Sequence, residues 1–309
     1  MRLTLGPVLY NWEPSVWRDY HYRIADEAPV DAVCIGEVVC SKRLPFFQDM
    51  IPDVAERLAR AGKEVVLSSL ALVTLERERK QMASLAREAD HLIEVNDISA
   101  LVHLAGRPHA IGPYVNVYNE ATLKWLAGNG ACRVCLPPEL PAASIRILAE
   151  SCPGVDIEVW SFGRAPLAIS ARCYHARLHK LTKDNCQFVC GKDPDGLATD
   201  TLDGQKFLTV NGVQTLSSTY VNLIGSIPDL QAMGVSSCRI SPQTCDMVAV
   251  TKVFRDVADG VIRPEQGREA LASICDGVSF SNGFFKGQAG MLFQPGIANG
   301  ASGAGMTGV

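Results

Sequence analysis

Two hydrophobic periods alternate along the chain. Short apolar runs of strand length recur at residues 3–10, 32–37, 64–69, 91–95, 111–117, 133–136, 157–161 and 237–240. Between most of them, apolar positions return at helical spacing, as in Phe46, Phe47, Met50 and Ile51, then Val54 and Leu58. Strands that alternate with helices in this way predict β/α units around a parallel sheet. Asp97 and Asn119 stand where helix N-caps belong, Gly62 where a helix ends, and Pro141 in a first helical turn. Eight such strands predict an irregular (β/α)8-like barrel, with an open doubly wound sheet as the alternative.

Two stretches break the rhythm. Residues 165–218 carry a cysteine-rich segment followed by Asp-Gly and Asn-Gly turns around an alternating run at 207–210, which predicts a cysteine-bearing insertion with a small β-hairpin. After residue 260 the pattern leaves one helix at 264–274 and a Gly-rich tail expected to be disordered. The expected organisation is a barrel-like domain over 1–260, including 165–218, and a C-terminal helix and tail over 261–309.

Composition narrows the picture. The chain has 309 residues, 47% hydrophobic, enough for a sizeable core, and a net charge of −4 that argues against a broad nucleic-acid surface. The start lacks a secretory pattern, and no window approaches a spanning helix, so a cytoplasmic location is expected. In a reducing compartment the 11 cysteines do not form a disulfide framework, and a clustered subset points to metal binding or reactivity.

That subset lies in RCYHARLHKLTKDNCQFVCGKD, residues 172–193. Cys173 is followed after twelve residues by Cys186 and after three more by Cys190, within a polar loop rather than a core strand. Cys40, past the end of the second predicted strand, is the candidate fourth thiolate. Four thiolates suit an iron–sulfur cluster or a tetrahedral zinc, and spacing alone leaves the two close to even. Cys34 reads as a core thiol; Cys132 and Cys135, an odd number of residues apart on a strand, point to opposite faces and read as structural. Cys152, Cys238, Cys245 and Cys275 have no partner pattern. His175 and His179 share a helix face and read as part of a basic solvated surface.

In a barrel, active groups gather where strands run into helices. The polar residues there are Glu37, Ser68, Ser69, Glu94, Asn96, Asn116, Tyr118, Glu139, Ser161, Arg164, Arg239 and Ser241, although strand ends are commonly polar in any protein. Ser170 has no evident His/Asp partner, and neither a zinc-binding HExxH helix nor a nucleophile elbow occurs, which argues against a hydrolase.

The segments EVWSFGRAPLAISARC at 158–173 and DNCQFVC at 184–190 resemble the core signature of the collagenase-like peptidase family, with Glu158, Gly163, Ser170, Cys173, Cys186 and Cys190 at the matching positions. The opening GPVLYNW and the stretch CIGEVVCSKR at 34–43 resemble the branch of that family that serves anaerobic ubiquinone biosynthesis. The resemblance implies a [4Fe–4S] cluster on Cys40, Cys173, Cys186 and Cys190, and a heterodimer with a homologous subunit. It also implies oxygen-independent hydroxylation of a ubiquinone precursor with a lipid-binding helper protein, the oxygen coming from a small acid such as prephenate. Arg164, Arg172 and Arg239, with Glu158, are the candidate substrate-binding residues, since guanidinium groups bind carboxylates bidentately.

Overall fold

In a computed structural model, which describes residues 1–88, 90–104 and 106–295, the eight strands close into a barrel. They are β1 (Arg2–Leu5), β2 (Ala32–Ile35), β3 (Glu64–Ser68), β4 (Leu92–Val95), β5 (His109–Ile111), β6 (Ala131–Leu136) and β7 (Asp156–Ile169); after the hairpin strands β8 (Leu197–Asp200), β9 (Lys206–Asn211) and β10 (Gln214–Asn222) comes β11 (Ser237–Ile240). Parallel pairing runs in sequence order from β1 to β7, and β11 closes the ring by pairing with both β7 and β1. Closure removes the open-sheet alternative.

The outer and inner faces of the barrel differ in character. Leu3, Leu5, Val33, Ile35, Ile93, Val95, Val134 and Leu136 belong to the apolar layer packed under the helices. The alternate positions, Thr4, Cys34, Glu94 and Arg239 among them, are buried but lie outside that layer. Such alternation is what a closed sheet imposes on its strands. Helices form where the sequence supplies stripes and caps. Pro14–Glu27 starts on its proline and buries Trp17, His21, Ile24 and Ala25 along one face. Asn119 accepts the amide of Thr122 at 2.9 Å and starts Glu120–Gly128.

Predicted strand ends shift where the backbone chemistry changes. The run at 3–10 stops at Leu5, before Gly6 and Pro7. The run at 111–117 ends at Ile111, because Pro113 opens a 3-10 turn and Asn116 adopts a left-handed φ of 62°. The largest difference is β7, which continues eight residues beyond the predicted 161 to Ile169. Past the barrel rim it pairs antiparallel with β10, which pairs with β9, and β9 with β8. The irregular segment is therefore an extension of a barrel strand folded across the C-terminal mouth. Helix Pro264–Ile274 has the predicted bounds and packs on Met247–Ala258; beyond it β12 (Phe280–Ser281) pairs with β10. The Gly-rich tail lies outside the described residues from 296 onward. No helix among the described residues is long and apolar enough to cross a membrane.

Candidate functional site: a cysteine-lined cavity over the barrel mouth

The loop after β2 leaves the barrel through Gly36, whose φ is 131° and where a Cβ would come within 2.7 Å of the Ser68 carbonyl oxygen. Only glycine makes that turn without displacing β3. The Glu37 carboxylate then accepts the amides of Val39 and Cys40, both at 2.8 Å, and so fixes the turn that carries Cys40. Arg43 closes the turn by donating its amide to the Cys40 carbonyl at 2.9 Å. Its buried guanidinium reaches the Leu9 carbonyl and the Asn211 side chain, each at 2.9 Å.

The other three cysteines come from the segment between β7 and β8. Cys173 caps the helix Tyr174–Leu178, its sulfur facing the Ala176 amide at 3.4 Å. Cys186 and Cys190 flank Gln187 and Phe188, two successive non-glycine residues with φ of 46° and 52°. Such residues cost on the order of 1–3 kcal/mol each, so surrounding structure must hold them. Cys40, Cys173, Cys186 and Cys190 line one small cavity with Lys42, Arg43 and Lys183.

Three ties hold the contributing segments together. Lys42 Nζ donates to the Lys183 carbonyl at 2.6 Å, joining the Cys40 loop to the Cys186 loop. Phe46 meets Phe188 edge-to-face at 4.7 Å between ring centroids. His175 Nε2 lies 2.8 Å from Asp193 Oδ2, joining the Cys173 helix to the turn after Cys190. His175 is fully buried, which corrects its reading as part of a solvated face; His179, stacked on it, is exposed.

Burial raises the thiol pKa values of Cys40 and Cys173; Arg43 works against that shift at both, and the Ala176 amide does so more strongly at Cys173. For Arg43, burial disfavours the charge, but Glu37 and the thiols of Cys190 and Cys40 outweigh it and hold the guanidinium firmly protonated. Among the described residues, the only His, Cys, Asp or Glu donors that converge within 4.8 Å as a group of three are His175, His179 and Asp193. No three of the four cysteine sulfurs, then, all lie within 4.8 Å of one another.

The remaining sequence candidates lie elsewhere. Arg239 bridges Glu158, at 2.5 Å, and Glu94. β11 and β4 are not neighbours in the ring, so this network crosses the barrel interior. Ser68 and Asn96 also donate to Glu94, and the Cys34 sulfur is 3.7 Å from it. Burial alone would raise the Glu94 carboxyl; Arg239 and these donors hold it below the usual range. Arg164 is spent on Asp195 at 3.1 Å and on the carbonyls of Ser217 and Ser218. Arg172 alone of the three arginines is exposed, with no side-chain partner among the described residues. Ser170 accepts the Arg172 amide at 3.1 Å through its hydroxyl.

The fold is a closed α/β barrel with a β extension over its C-terminal mouth, and its most concentrated reactive chemistry is a thiol-lined cavity beneath that extension. The chain belongs to peptidase family U32, whose model matches residues 20–293. Among solved structures it is similar to a truncated 3-deoxy-D-arabino-heptulosonate 7-phosphate synthase from Thermotoga maritima, with 10% identity, 90% of this chain and 89% of that one covered, and a TM-score of 0.44. It is also similar to a putative fructose-1,6-biphosphate aldolase from Coccidioides immitis, with 12% identity, coverage of 88% and 86%, and a TM-score of 0.39. These distant likenesses bear on neither substrate nor mechanism.

Proposed function

We propose that the chain is a UbiV-like iron–sulfur subunit of an oxygen-independent hydroxylation system in ubiquinone biosynthesis, working as a heterodimer with a UbiU-like homologous subunit. The observation that carries this reading is the meeting of Cys40 with Cys173, Cys186 and Cys190 around one cavity, although Cys40 is 133 residues from the nearest of the others. Soft anionic donors in this number suit a [4Fe–4S] cluster, whose several irons hold thiolates farther apart than a single metal ion does. Bound there, a cluster would supply one-electron transfer or a Lewis-acidic iron.

The chain's own residues would do the rest. Arg43, Lys42 and Lys183 offset negative charge on the thiolates, while Phe188 and Val189 limit water on that side. Arg239 and Arg164 are committed to internal partners, which leaves Arg172, next to Cys173, as the guanidinium free to meet the carboxylate of a prephenate-like oxygen donor. The ubiquinone precursor and its lipid-binding helper protein complete the proposed set of partners.

Anaerobic purification with iron and acid-labile sulfide assays tests the reading. About four of each per chain are expected for such a cluster. A colourless preparation holding one zinc per chain would overturn it. Alanine variants of the four cysteines that fold, bind the partner and fail to restore anaerobic ubiquinone production would tie the cavity to the pathway.

A further inference from the structure

A second sulfur pair lies outside the cavity. Cys245 sits between β11 and the helix Met247–Ala258, just before the Asp246 cap that accepts the amides of Val248 and Ala249. Cys275 ends the helix Pro264–Ile274, its amide bonded to the Leu271 carbonyl at 2.9 Å. The two sulfurs are 3.6 Å apart, and the Met247 sulfur is 3.7 Å from that of Cys245. A disulfide needs about 2.05 Å, a closure that small side-chain rotations supply when the thiols already touch.

We propose that Cys245 and Cys275 form a reversible disulfide, a modification site distinct from the cysteine cavity. Cys245 is the partly exposed member and Cys275 is buried, so the first is the site of attack and the second resolves it. The oxidant is a peroxide. The Cys245 sulfur takes one peroxide oxygen to become a sulfenic acid, and the other oxygen leaves as water. The Cys275 thiol then attacks the Cys245 sulfur, the S–S bond forms, and the sulfenic oxygen leaves as a second water. The protein has lost two protons and two electrons, and the peroxide has been reduced to two waters. A dithiol reductant reverses the step by exchange through a mixed disulfide.

The local chemistry favours this course. The contact between the two thiols lowers the Cys275 pKa, which favours Cys275 as the thiolate that resolves the sulfenic acid, and raises that of Cys245, whose part in the first step rests on its exposure. The bond would join the start of one helix to the end of the helix packed on it, across a separation of 30 residues. It would therefore restrict the unfolded chain and stiffen the helix pair beside the barrel's closing strand.

The test uses the full chain, purified anaerobically, exposed to a small excess of hydrogen peroxide, alkylated and digested without reductant. The expected product is a linked peptide containing Cys245 and Cys275, abolished by a dithiol, with a melting temperature raised by about 5 °C. In Cys275→Ser the link is lost and Cys245 proceeds to sulfinic acid. Cys245 found as sulfinic acid, or both thiols still alkylated after other cysteines have reacted, would overturn the proposal in the native chain, whether or not the variant folds. The outcome is independent of what the cavity holds, because neither thiol lines it.

Discussion

The barrel interior and the cysteine cavity are both rich in reactive side chains, yet they are built on opposite terms. In the interior, charge meets charge: Arg239 is shared by Glu94 and Glu158, and Ser68 and Asn96 turn toward the same carboxylate. Buried ions arranged in this way neutralise one another, although Glu158 Oε2 and Arg239 Nη1 have no hydrogen-bond partner among the described residues. At the cavity, most of the hydrogen bonding is made by groups around the thiols, which tie loop to loop, while the sulfurs stand together with few bonds of their own. Paired charges inside and thiols with few bonds of their own at the mouth mark the difference between the two regions. Position at the mouth of a barrel does not by itself distinguish the two.

The sharpest way to break this contrast is at Arg239. Arg239→Met strands two buried carboxylates, and urea unfolding should show a loss of about 3–5 kcal/mol. A loss below about 1 kcal/mol would mean that the interior is wetter than its burial indicates. Acid is the next probe. The Glu94 pKa is depressed in the folded state, so its contribution is fully present above the unfolded value of about 4.3 and disappears as pH falls through the lower folded value. Stability measured from pH 6 down to about 2 should therefore fall along a curve that Glu94→Gln flattens.

Smaller effects belong to the cavity. Asp193→Asn weakens the His175 tie, with an expected cost of about 1–2 kcal/mol and lower metal retention after gel filtration. Cys186→Ser should change the stability of the metal-free chain least, by under about 1 kcal/mol, yet reduce bound iron to background. If this last variant kept its iron, the division between the two regions would fail where it matters most.

The sequence was most readable where periodicity reports burial. Seven of the eight barrel strands overlap the apolar runs that predict them, whereas β5 shares only Ile111 with the run at 111–117; Ser237–Ile240 and Pro264–Ile274 have their predicted bounds. What periodicity could not convey was the length of β7: its pairing changes from parallel to antiparallel at Phe162 and Gly163, and a glycine reads equally as a strand end. Glu37 stood among the polar residues at strand ends where active groups gather, but its partners are backbone amides of its own loop, a local bond that spacing does not reveal. Arg43 drew no attention as a basic residue three places after Cys40. Its importance comes from Asn211, far along the chain, and only the folded extension brings the two together. Asp193 was hidden for the same reason.

The extension also sets a timetable. The walls of the cavity come from residues 40–43, from residues 173–190 and from Gly212. During synthesis the first wall emerges early and waits, and the last arrives when more than two thirds of the chain has been made. A nascent chain stalled before that point exposes thiols without an enclosure. If a soft metal takes all four thiols, its loading is a late event in the life of the molecule, and a fragment from interrupted translation would hold only part of the set.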